Sequence, residues 1–402
     1  AGSNRVLFSV SFTGSIFGSD VRFSRLFVYD VRNRATTPLF RSDMGPNGDE
    51  VLFVDPAGEY LLLSVQRTIF DYPTVWRFAL DGSDAKAAIQ IEKEKPGVWN
   101  WFADNQGVVR MGFEITSAGK LKIWYRRNAQ DPLAVIAKLT EDNFEDGIWD
   151  VIRLTSGTDQ GYVLREDVEG RVSLFKFDYA KRTVAGNAFS VPGWDVTGAT
   201  VDENNQLIAA FYTDDREQVV WFDPKLKALQ NRFNKALPGS QVSILSRADG
   251  DKRMVVWAGR EDDPGAYYIY DASKGSLDMF SAVLAGLNPE QMAVPKPIKY
   301  QARDKVTISG YLTVPRGREP KNLPLIILPH GGPFGIRDTL TWSSDVQFLA
   351  NRGYAVLQPN FRGSDGYGDL FSGLGKGQIG RAMQDDLDDA MDWAVKQGIV
   401  DP

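Results

Sequence analysis

Residues 323–333 read Leu-Pro-Leu-Ile-Ile-Leu-Pro-His-Gly-Gly-Pro, and this stretch decides the fold. Its first six residues are almost wholly apolar, which is typical of a strand buried on both faces of a parallel sheet. The strand runs directly into Gly331 and Gly332, which leave the backbone free to turn and to aim N–H groups at a ligand. The sequence therefore predicts a parallel strand that ends in a loop able to bind through its backbone.

The segments around this strand alternate between strand and helix patterns. Two strands precede it, at residues 296–300 and 306–312, and another is predicted at residues 354–357. A helical pattern covers residues 338–351, and a second helix is indicated by apolar residues at helical spacing: Met383, Leu387, Ala390, Met391 and Ala394. Strands that alternate with helices in this way indicate a parallel α/β sheet.

A repeat of 45–51 residues fills the chain before residue 290. A short aromatic and aliphatic strand that runs into Asp recurs and ends at Asp30, Asp81, Asp178, Asp223 and Asp271, with Arg127 at the equivalent place in a sixth copy. A second marker lies between these copies, a polar turn such as residues 55–58 that opens another apolar strand. Two markers per period fit the four strands of one propeller blade.

The repeats predict an all-β propeller at residues 1–290, followed by an α/β domain at residues 291–402. Six blades can be counted and a seventh is expected, because residues 6–12 read as a strand of a further incomplete blade or as the strand that closes the ring. The alternative is a β-sandwich with regular hairpins. About 270 residues of strand pattern without a helical segment favour radial repetition over a sandwich.

Composition limits the chemistry that this chain can carry. It has 402 residues, a formal net charge of -6, no cysteine and one histidine, His330. A single imidazole and no thiolate argue against a metal centre built from these ligands, and the net charge gives no reason to expect nucleic acid. The longest apolar stretch is too short to cross a membrane. We expect no cofactor, no metal, no nucleic-acid partner and no membrane span.

A second glycine-rich motif strengthens the first. Residues 360–368 read Asn-Phe-Arg-Gly-Ser-Asp-Gly-Tyr-Gly and also follow a predicted strand. Together with residues 330–334, residues 383–386 and Trp393, this motif resembles the prolyl oligopeptidase family of serine peptidases, in the branch of acylaminoacyl and dipeptidyl peptidases. The resemblance implies a propeller that screens substrates by size and an α/β-hydrolase domain with a Ser-Asp-His triad.

None of the triad is expected among these residues. No Gly-x-Ser-x-Gly occurs in the sequence, and Gly363-Ser364-Asp365-Gly366 has the wrong spacing. In the family the nucleophile follows the next strand, so we expect this chain to be the amino-terminal portion of a longer polypeptide. The expected partners are a peptide substrate and a complementary carboxyl-terminal catalytic segment, and the chain alone is expected to be inactive.

The candidate site residues lie in the two glycine loops. His330, Gly331 and Gly332 form the predicted oxyanion-hole loop, with the Gly332 N–H as the donor and the His330 ring as its organiser. Arg362 and Tyr367 are predicted to support this loop, Arg362 by pairing with a carboxylate. His330 as general base is disfavoured by the chain order of triad residues. The run Asp385, Asp386, Asp388, Asp389 and Asp392 reads as a solvated helix face rather than a metal cluster.

The resulting hypothesis is a serine peptidase that hydrolyses short peptides, with the propeller gating access. One alternative is a non-catalytic propeller that binds peptides or proteins and carries a vestigial hydrolase segment. Another is an esterase or isopeptidase on the same scaffold, since acyl transfers share oxyanion chemistry. The resemblance allows a homo-oligomer and favours the bacterial periplasm slightly over the cytoplasm.

Overall fold

Two kinds of β-sheet follow one another along the chain. The structure is a computed structural model that describes residues 4–39, 45–80, 88–139, 150–248 and 250–401. Asp81 and Asp249, which belong to two of the predicted turns, lie outside these ranges. No helix in the described part of the chain is long and apolar enough to cross a membrane.

Among the described residues, six sheets built from consecutive strands precede residue 290, and they are numbered in chain order. Neighbouring strands are antiparallel throughout the first, second, third and sixth of them. Sheet 1 has three strands: β1 (Arg5–Ile16), β2 (Ser19–Asp30) and β3 (Ala35–Pro38). Sheet 2 has β4 (Glu50–Val54), β5 (Tyr60–Val65), β6 (Thr74–Ala79) and β7 (Ile89–Glu92). Sheet 3 has β8 (Val98–Ala103), β9 (Val109–Ile115), β10 (Leu121–Tyr125) and β11 (Ala134–Leu139).

The next three sheets continue the series. Sheet 4 has β12 (Asp150–Leu154), β13 (Gln160–Glu166), β14 (Val172–Asp178) and β15 (Thr183–Phe189). Sheet 5 has three strands: β16 (Val196–Val201), β17 (Leu207–Thr213) and β18 (Glu217–Trp221). Sheet 6 has β19 (Gln241–Ala248), β20 (Arg253–Arg260), β21 (Asp263–Asp271) and β22 (Ser276–Ala282).

The repeated aromatic strand is the third strand in chain order of sheets 2 to 6, as β6, β10, β14, β18 and β21, and the middle strand of sheet 1, as β2. The recurring Asp has a local reason, because its carboxylate accepts backbone N–H groups two or three residues further on. Asp30 Oδ1 accepts from the N–H of Arg32 at 2.9 Å, and Asp271 Oδ1 accepts from that of Ser273 at 3.0 Å. At Asp30 and Asp271 the repeated residue thus marks the same kind of turn.

A helix interrupts the strand series, so the expectation of no helical segment is wrong. After β18 the chain forms α1 (Pro224–Ala236), and no fourth strand joins sheet 5 among the described residues. The recurring Asp is the cause, because Asp223 is followed by Pro224 and caps a helix: its Oδ1 accepts from the N–H of Lys225 at 2.7 Å. Phe233 of α1 then packs its ring 5.0 Å from that of Tyr270 in sheet 6.

The strand predicted at residues 6–12 belongs to sheet 1. It is part of β1, which pairs with β2 from Arg5↔Asp30 to Ile16↔Ser19. By contact density the chain divides into two compact units, residues 1–165 with 174–188 and 201–206, and residues 166–173 with 189–200 and 207–402. The seventh blade and the domain division at residue 290 stay predictions.

A mixed sheet follows a 3-10 helix at Pro289–Gln291. Its strands are β23 (Lys296–Gln301), β24 (Thr307–Thr313), β25 (Leu325–Ile327) and β26 (Ala355–Asn360), in the order β23-β24-β26-β25. Within this sheet β25 and β26 are parallel, in the register Leu325↔Ala355, and the pairs β23–β24 and β24–β26 are antiparallel. The helices are α2 (Ser344–Asn351), α3 (Asp369–Gly373) and α4 (Ala382–Lys396).

Two expectations for this sheet need correction. The strand predicted to be buried on both faces covers only Leu325–Ile327, and its side chains are half-buried because β25 is an edge strand within the described chain. The helix predicted from residue 338 begins at Ser344, where the Ser343 side chain accepts from the Val346 N–H at 3.3 Å. Ala390 and Ala394 of α4 pack against this sheet, in one core with Tyr300, Ile308 and Leu357.

Candidate active site

The two glycine loops leave the mixed sheet side by side. Leu328 N–H donates to Leu357 O at 2.8 Å, which extends the parallel pairing of β25 and β26 by one residue before the first loop begins. The second loop begins at the end of β26, after Asn360. Because carboxyl ends of parallel strands meet at one edge of a sheet, residues 330–334 and residues 361–368 come together there.

The side chain of His330 joins the two loops. Its ring stacks on that of Phe361 with centroids 4.6 Å apart and planes at 14°. Its Nε2 lies 2.7 Å from Ser364 Oγ, and its Nδ1 lies 2.8 Å from the carbonyl oxygen of Gly331. Ser364 is fully buried and also contacts Phe361 O at 2.6 Å. The ring therefore has a stacking contact on one face and a polar contact at each nitrogen.

Gly331 and Gly332 present exposed backbone at this edge. Gly332 has φ +114°, and a Cβ built on it would lie 3.0 Å from the Phe334 N, so glycine is required here. At Gly331 a Cβ would meet nothing within 4 Å. Within the described part of the chain, neither residue's N–H donates to a protein acceptor. The two amides thus face solvent from a fixed turn.

Arg362 fastens the second loop to two carboxylates, those of Asp386 and Asp304. Its Nε and Nη2 donate to the two carboxylate oxygens of Asp386 at 2.9 and 2.7 Å, and its Nη1 donates to Asp304 Oδ2 at 2.7 Å. These two carboxylates raise the pKa of Arg362, Asp386 being the larger cause. The hydrogen bond from Arg362 in turn lowers the pKa of Asp304. All three guanidinium nitrogens are therefore used in ion pairs within the fold. That Arg362 supports an active-site loop stays a prediction.

The aspartate run of α4 is not simply a solvated face. Asp386 is completely buried beneath Arg362, and Asp389 is buried and accepts from Arg303 Nε at 3.0 Å. Asp386 shares its helix face with Met383 and Ala390, three and four residues away, so the helical spacing already carried a signal for its burial. The expectation holds for Asp392, which is exposed.

Tyr367 lies in a polar network that the sequence did not reveal. Its hydroxyl accepts from Asn360 Nδ2 at 2.8 Å and from Arg337 Nη2 at 2.9 Å, and the Arg337 guanidinium lies 4.2 Å from the centre of its ring. Burial raises the pKa of Tyr367. Asn360, which is fully buried, also accepts from Asp338 N–H at 2.7 Å. The network ties the second loop to the segment that follows the first.

An earlier part of the chain holds the far end of the second loop. Asp195 is buried, and its two oxygens accept from the Gly368 N–H and the Val172 N–H, both at 2.9 Å. Asp369 N–H donates to Gly170 O at 2.8 Å. Burial raises the pKa of Asp195, although these two backbone N–H groups act to lower it. No pattern in the sequence connected residues 170–195 with this loop.

The site combines the backbone N–H groups of Gly331 and Gly332, the imidazole of His330 and the buried ion pair of the second loop. Exposed N–H groups held in a fixed turn can stabilise negative charge on an oxygen atom. Among the described residues there is no group of three His, Asp or Glu side chains that could hold a metal ion. Chemically, the arrangement suits recognition of a carbonyl oxygen on which charge develops.

Comparisons with known proteins point to one family. The profile of the prolyl oligopeptidase family matches residues 340–402. Dipeptidyl aminopeptidase BIII of Pseudoxanthomonas mexicana is 36% identical over 248 residues, which cover 58% of this chain and 35% of that protein. Dipeptidyl peptidase family member 6 of Caenorhabditis elegans is 32% identical over 209 residues, which cover 45% of this chain and 28% of that protein.

Solved structures agree on the fold. A puromycin-hydrolysing peptidase of Mycobacterium tuberculosis matches with a TM-score of 0.67 at 16% identity, covering 100% of this chain and 64% of that chain. Oligopeptidase B of Trypanosoma brucei matches with a TM-score of 0.59 at 14% identity, covering 99% of this chain and 58% of that chain. The chain spans about a third of the length of the curated relatives that it matches.

The six sheets and the mixed sheet after them define a β-propeller followed by the first part of an α/β-hydrolase domain, which confirms the predicted fold class. The resemblance to the prolyl oligopeptidase family is confirmed, because the profile of that family matches residues 340–402 and the named relatives are peptidases. The roles assigned to His330, Gly331, Gly332, Arg362 and Tyr367 stay predictions.

Proposed function

We propose that this chain is part of a serine peptidase that hydrolyses short peptides. In this proposal the Gly332 N–H donates to the carbonyl oxygen of the scissile bond, where negative charge develops as the tetrahedral intermediate forms. A donor of this kind is worth roughly a hundredfold to a thousandfold in turnover, because it meets charge that is absent from the substrate.

One observation carries the proposal. Gly331 and Gly332 are exposed residues just past the carboxyl end of β25, and no described residue accepts a hydrogen bond from their N–H groups. In open α/β sheets, ligands bind outside the carboxyl ends of the strands. The names of the relatives, which are dipeptidyl peptidases and acylamino-acid-releasing enzymes, support a peptide substrate.

The nucleophile, acid and base are proposed to come from a complementary carboxyl-terminal segment. His330 is a poor candidate for the base, because its two ring nitrogens already contact Ser364 and the Gly331 carbonyl. Ser364 is a poor nucleophile, because it is fully buried. The propeller is proposed to admit only short peptides to the site.

The experiment compares residues 1–402 with the polypeptide encoded by the complete reading frame. Each protein is incubated with chromogenic dipeptide and ester substrates and with a fluorophosphonate that labels active serines. We expect hydrolysis and labelling for the complete polypeptide and neither for residues 1–402. Labelling of the 402-residue chain would refute the absence of the triad, and an inactive complete polypeptide would refute the peptidase.

A further inference from the structure

A chain of three polar contacts links the second loop to the peptide bond between Gly331 and Gly332. Ser364 Oγ lies 2.6 Å from Phe361 O and 2.7 Å from His330 Nε2, and His330 Nδ1 lies 2.8 Å from Gly331 O. All three distances are those of hydrogen bonds. The positions of the protons follow from what each atom can donate.

The Ser364 hydroxyl has one proton and two polar neighbours, so it can donate to only one of them. A carbonyl oxygen only accepts, so the contact with Phe361 O requires Ser364 to donate there. The hydroxyl then has only lone pairs left for His330, and Nε2 must supply the N–H of the second hydrogen bond. Ser364 therefore favours the Nε2–H tautomer of the neutral ring.

The contact at Nδ1 requires a second proton. Gly331 O is also an acceptor, so the contact at 2.8 Å is a hydrogen bond only if Nδ1 carries a hydrogen as well. Both contacts are satisfied together only by the doubly protonated imidazolium. In the neutral ring with its proton on Nε2, the lone pair of Nδ1 faces the lone pairs of the carbonyl, and this contact becomes repulsive.

The same peptide bond carries the proposed oxyanion donor. In a planar trans peptide the C=O of Gly331 and the N–H of Gly332 point in opposite directions, so a group that holds the carbonyl also aims the N–H. We propose that Ser364 is a positioning residue that fixes the His330 proton on Nε2, so that His330 holds the Gly331–Gly332 peptide only when the ring is doubly protonated. This inference rests on the proposed function only where it takes the Gly332 N–H as the donor.

The charged groups around the ring are compatible with this arrangement. The segment after the glycines carries Arg337 and Asp338, and the second loop carries Arg362 and Asp365. Arg362 is neutralised by Asp386 and Asp304. Burial raises the pKa of Asp338, while attraction to His330 acts to lower it, so these two groups lie close enough to interact.

The sequence allows the His330 ring and the Gly331–Gly332 peptide to be observed separately. His330 is the only histidine, so a chain labelled with ¹⁵N in its imidazole rings gives the signals of one ring. Residues 331–332 are the only Gly-Gly pair, so glycine labelled with ¹³C at the carbonyl and with ¹⁵N gives one carbonyl–amide correlation, that of the Gly332 N–H. Nuclear magnetic resonance can therefore read the tautomer and the peptide in the 402-residue chain.

The expected spectra are specific. In the wild-type chain, the neutral ring shows the Nε2–H pattern, and the Gly332 amide signal differs between the neutral and the doubly protonated ring. In Ser364→Ala the neutral ring shows the Nδ1–H pattern and keeps its bond to Gly331 O, so the Gly332 signal no longer follows the ring. Ser372→Ala removes a hydroxyl from the neighbouring segment, where it donates to Asp369 O, and should match the wild type.

An Nδ1–H pattern in the neutral wild-type ring would overturn the inference, and so would an unchanged tautomer in folded Ser364→Ala. The wild-type spectrum decides the tautomer even if Ser364→Ala fails to fold. The outcome is separate from that of the proposed function: an inactive complete polypeptide with the expected spectra removes the peptidase and leaves the tautomer assignment standing.

Discussion

The guanidinium of Arg362 and the carboxylate of Asp386 form a buried two-point ion pair that fastens the second glycine loop to α4. The side chains are 7% and 0% exposed, and the Arg362 backbone N–H adds a third hydrogen bond to Asp386 Oδ2 at 2.9 Å. The loop that follows β26 thus depends on a residue 24 positions later in the sequence. Planar, two-point recognition of this kind suits arginine and not lysine.

Removal of one partner of this pair should destabilise the chain strongly. We expect Asp386→Ala to lower the free energy of unfolding by about 3–5 kcal/mol, because it leaves an unpaired buried guanidinium. Urea denaturation followed by tryptophan fluorescence measures the change. Asp392→Ala, on the exposed side of the same helix, is the matched control and should change stability by no more than about 0.5 kcal/mol. Equal effects of the two variants would show that the ion pair contributes little.

The two glycines of the first loop should tolerate alanine very differently. Gly332→Ala should cost about 1–3 kcal/mol, because φ of +114° is unfavourable for an L side chain, whereas Gly331→Ala has open space. In the complete polypeptide, Gly332→Ala should also reduce kcat with little change in KM. Thermal unfolding and steady-state kinetics check the two parts. A Gly331→Ala variant that is as impaired as Gly332→Ala would contradict the assignment of Gly332 as donor.

The buried Asp195 should make stability depend on pH. Its pKa is raised by burial above the usual 3.8, so the folded chain holds this proton more tightly than the unfolded chain. The stabilisation is complete below 3.8 and is lost as pH rises through the raised pKa. Asp195→Asn should therefore gain thermal stability relative to the wild type as pH increases across this range.

A control of opposite sign exists for this pH dependence. Asp271 is half-buried at the end of β21, and its hydrogen bond with the Ser273 hydroxyl lowers its pKa. Its contribution is present above its unfolded pKa and is lost as pH falls, so Asp271→Asn should lose stability relative to the wild type as pH increases. Melting temperatures of both variants between pH 3 and pH 7 test the pair. Parallel rather than opposite trends would show that burial of Asp195 does not control its protonation.

The helix of sheet 5 should depend on its capping residue. Asp223→Ala should reduce the free energy of unfolding by about 1 kcal/mol, since the N–H groups of Lys225 and Leu226 lose their acceptor. Asp223→Asn keeps an acceptor oxygen and should remain close to the wild type. Chemical denaturation of the three proteins provides the comparison. If the Asn variant were as unstable as the Ala variant, capping would not explain the position of α1.

Local signals predicted most of this fold. The recurring Asp marks turns because its carboxylate bonds backbone N–H groups only a few residues away, as at Asp30 and Asp271. The glycine loops were predicted at the ends of strands because strand and turn residues adjoin in the sequence. α1 was missed because Asp223 was read as another turn of the same repeat, although Asp followed by Pro also starts helices.

Contacts between distant residues escaped prediction. The burial of Asp386 could have been inferred from its spacing to Met383 and Ala390, but its partner Arg362 could not, because a helical pattern does not show which group 24 positions earlier a carboxylate meets. Asp195 and Gly368 are 173 positions apart, and neither belongs to a motif that implies the other. Ser364 was part of a recognised motif, but its contact with His330 depends on how two strands pair.

The bond between Asp195 and Gly368 also bears on the order in which the protein is made. Synthesis proceeds from the amino terminus, so Asp195 and Gly170 leave the ribosome well before residues 366–369. The earlier strands can therefore fold first, and Asp195 and the Gly170 carbonyl are then in place to accept hydrogen bonds from the later loop. A polypeptide that started at residue 291 would lack this template, and its second glycine loop would have to form without it.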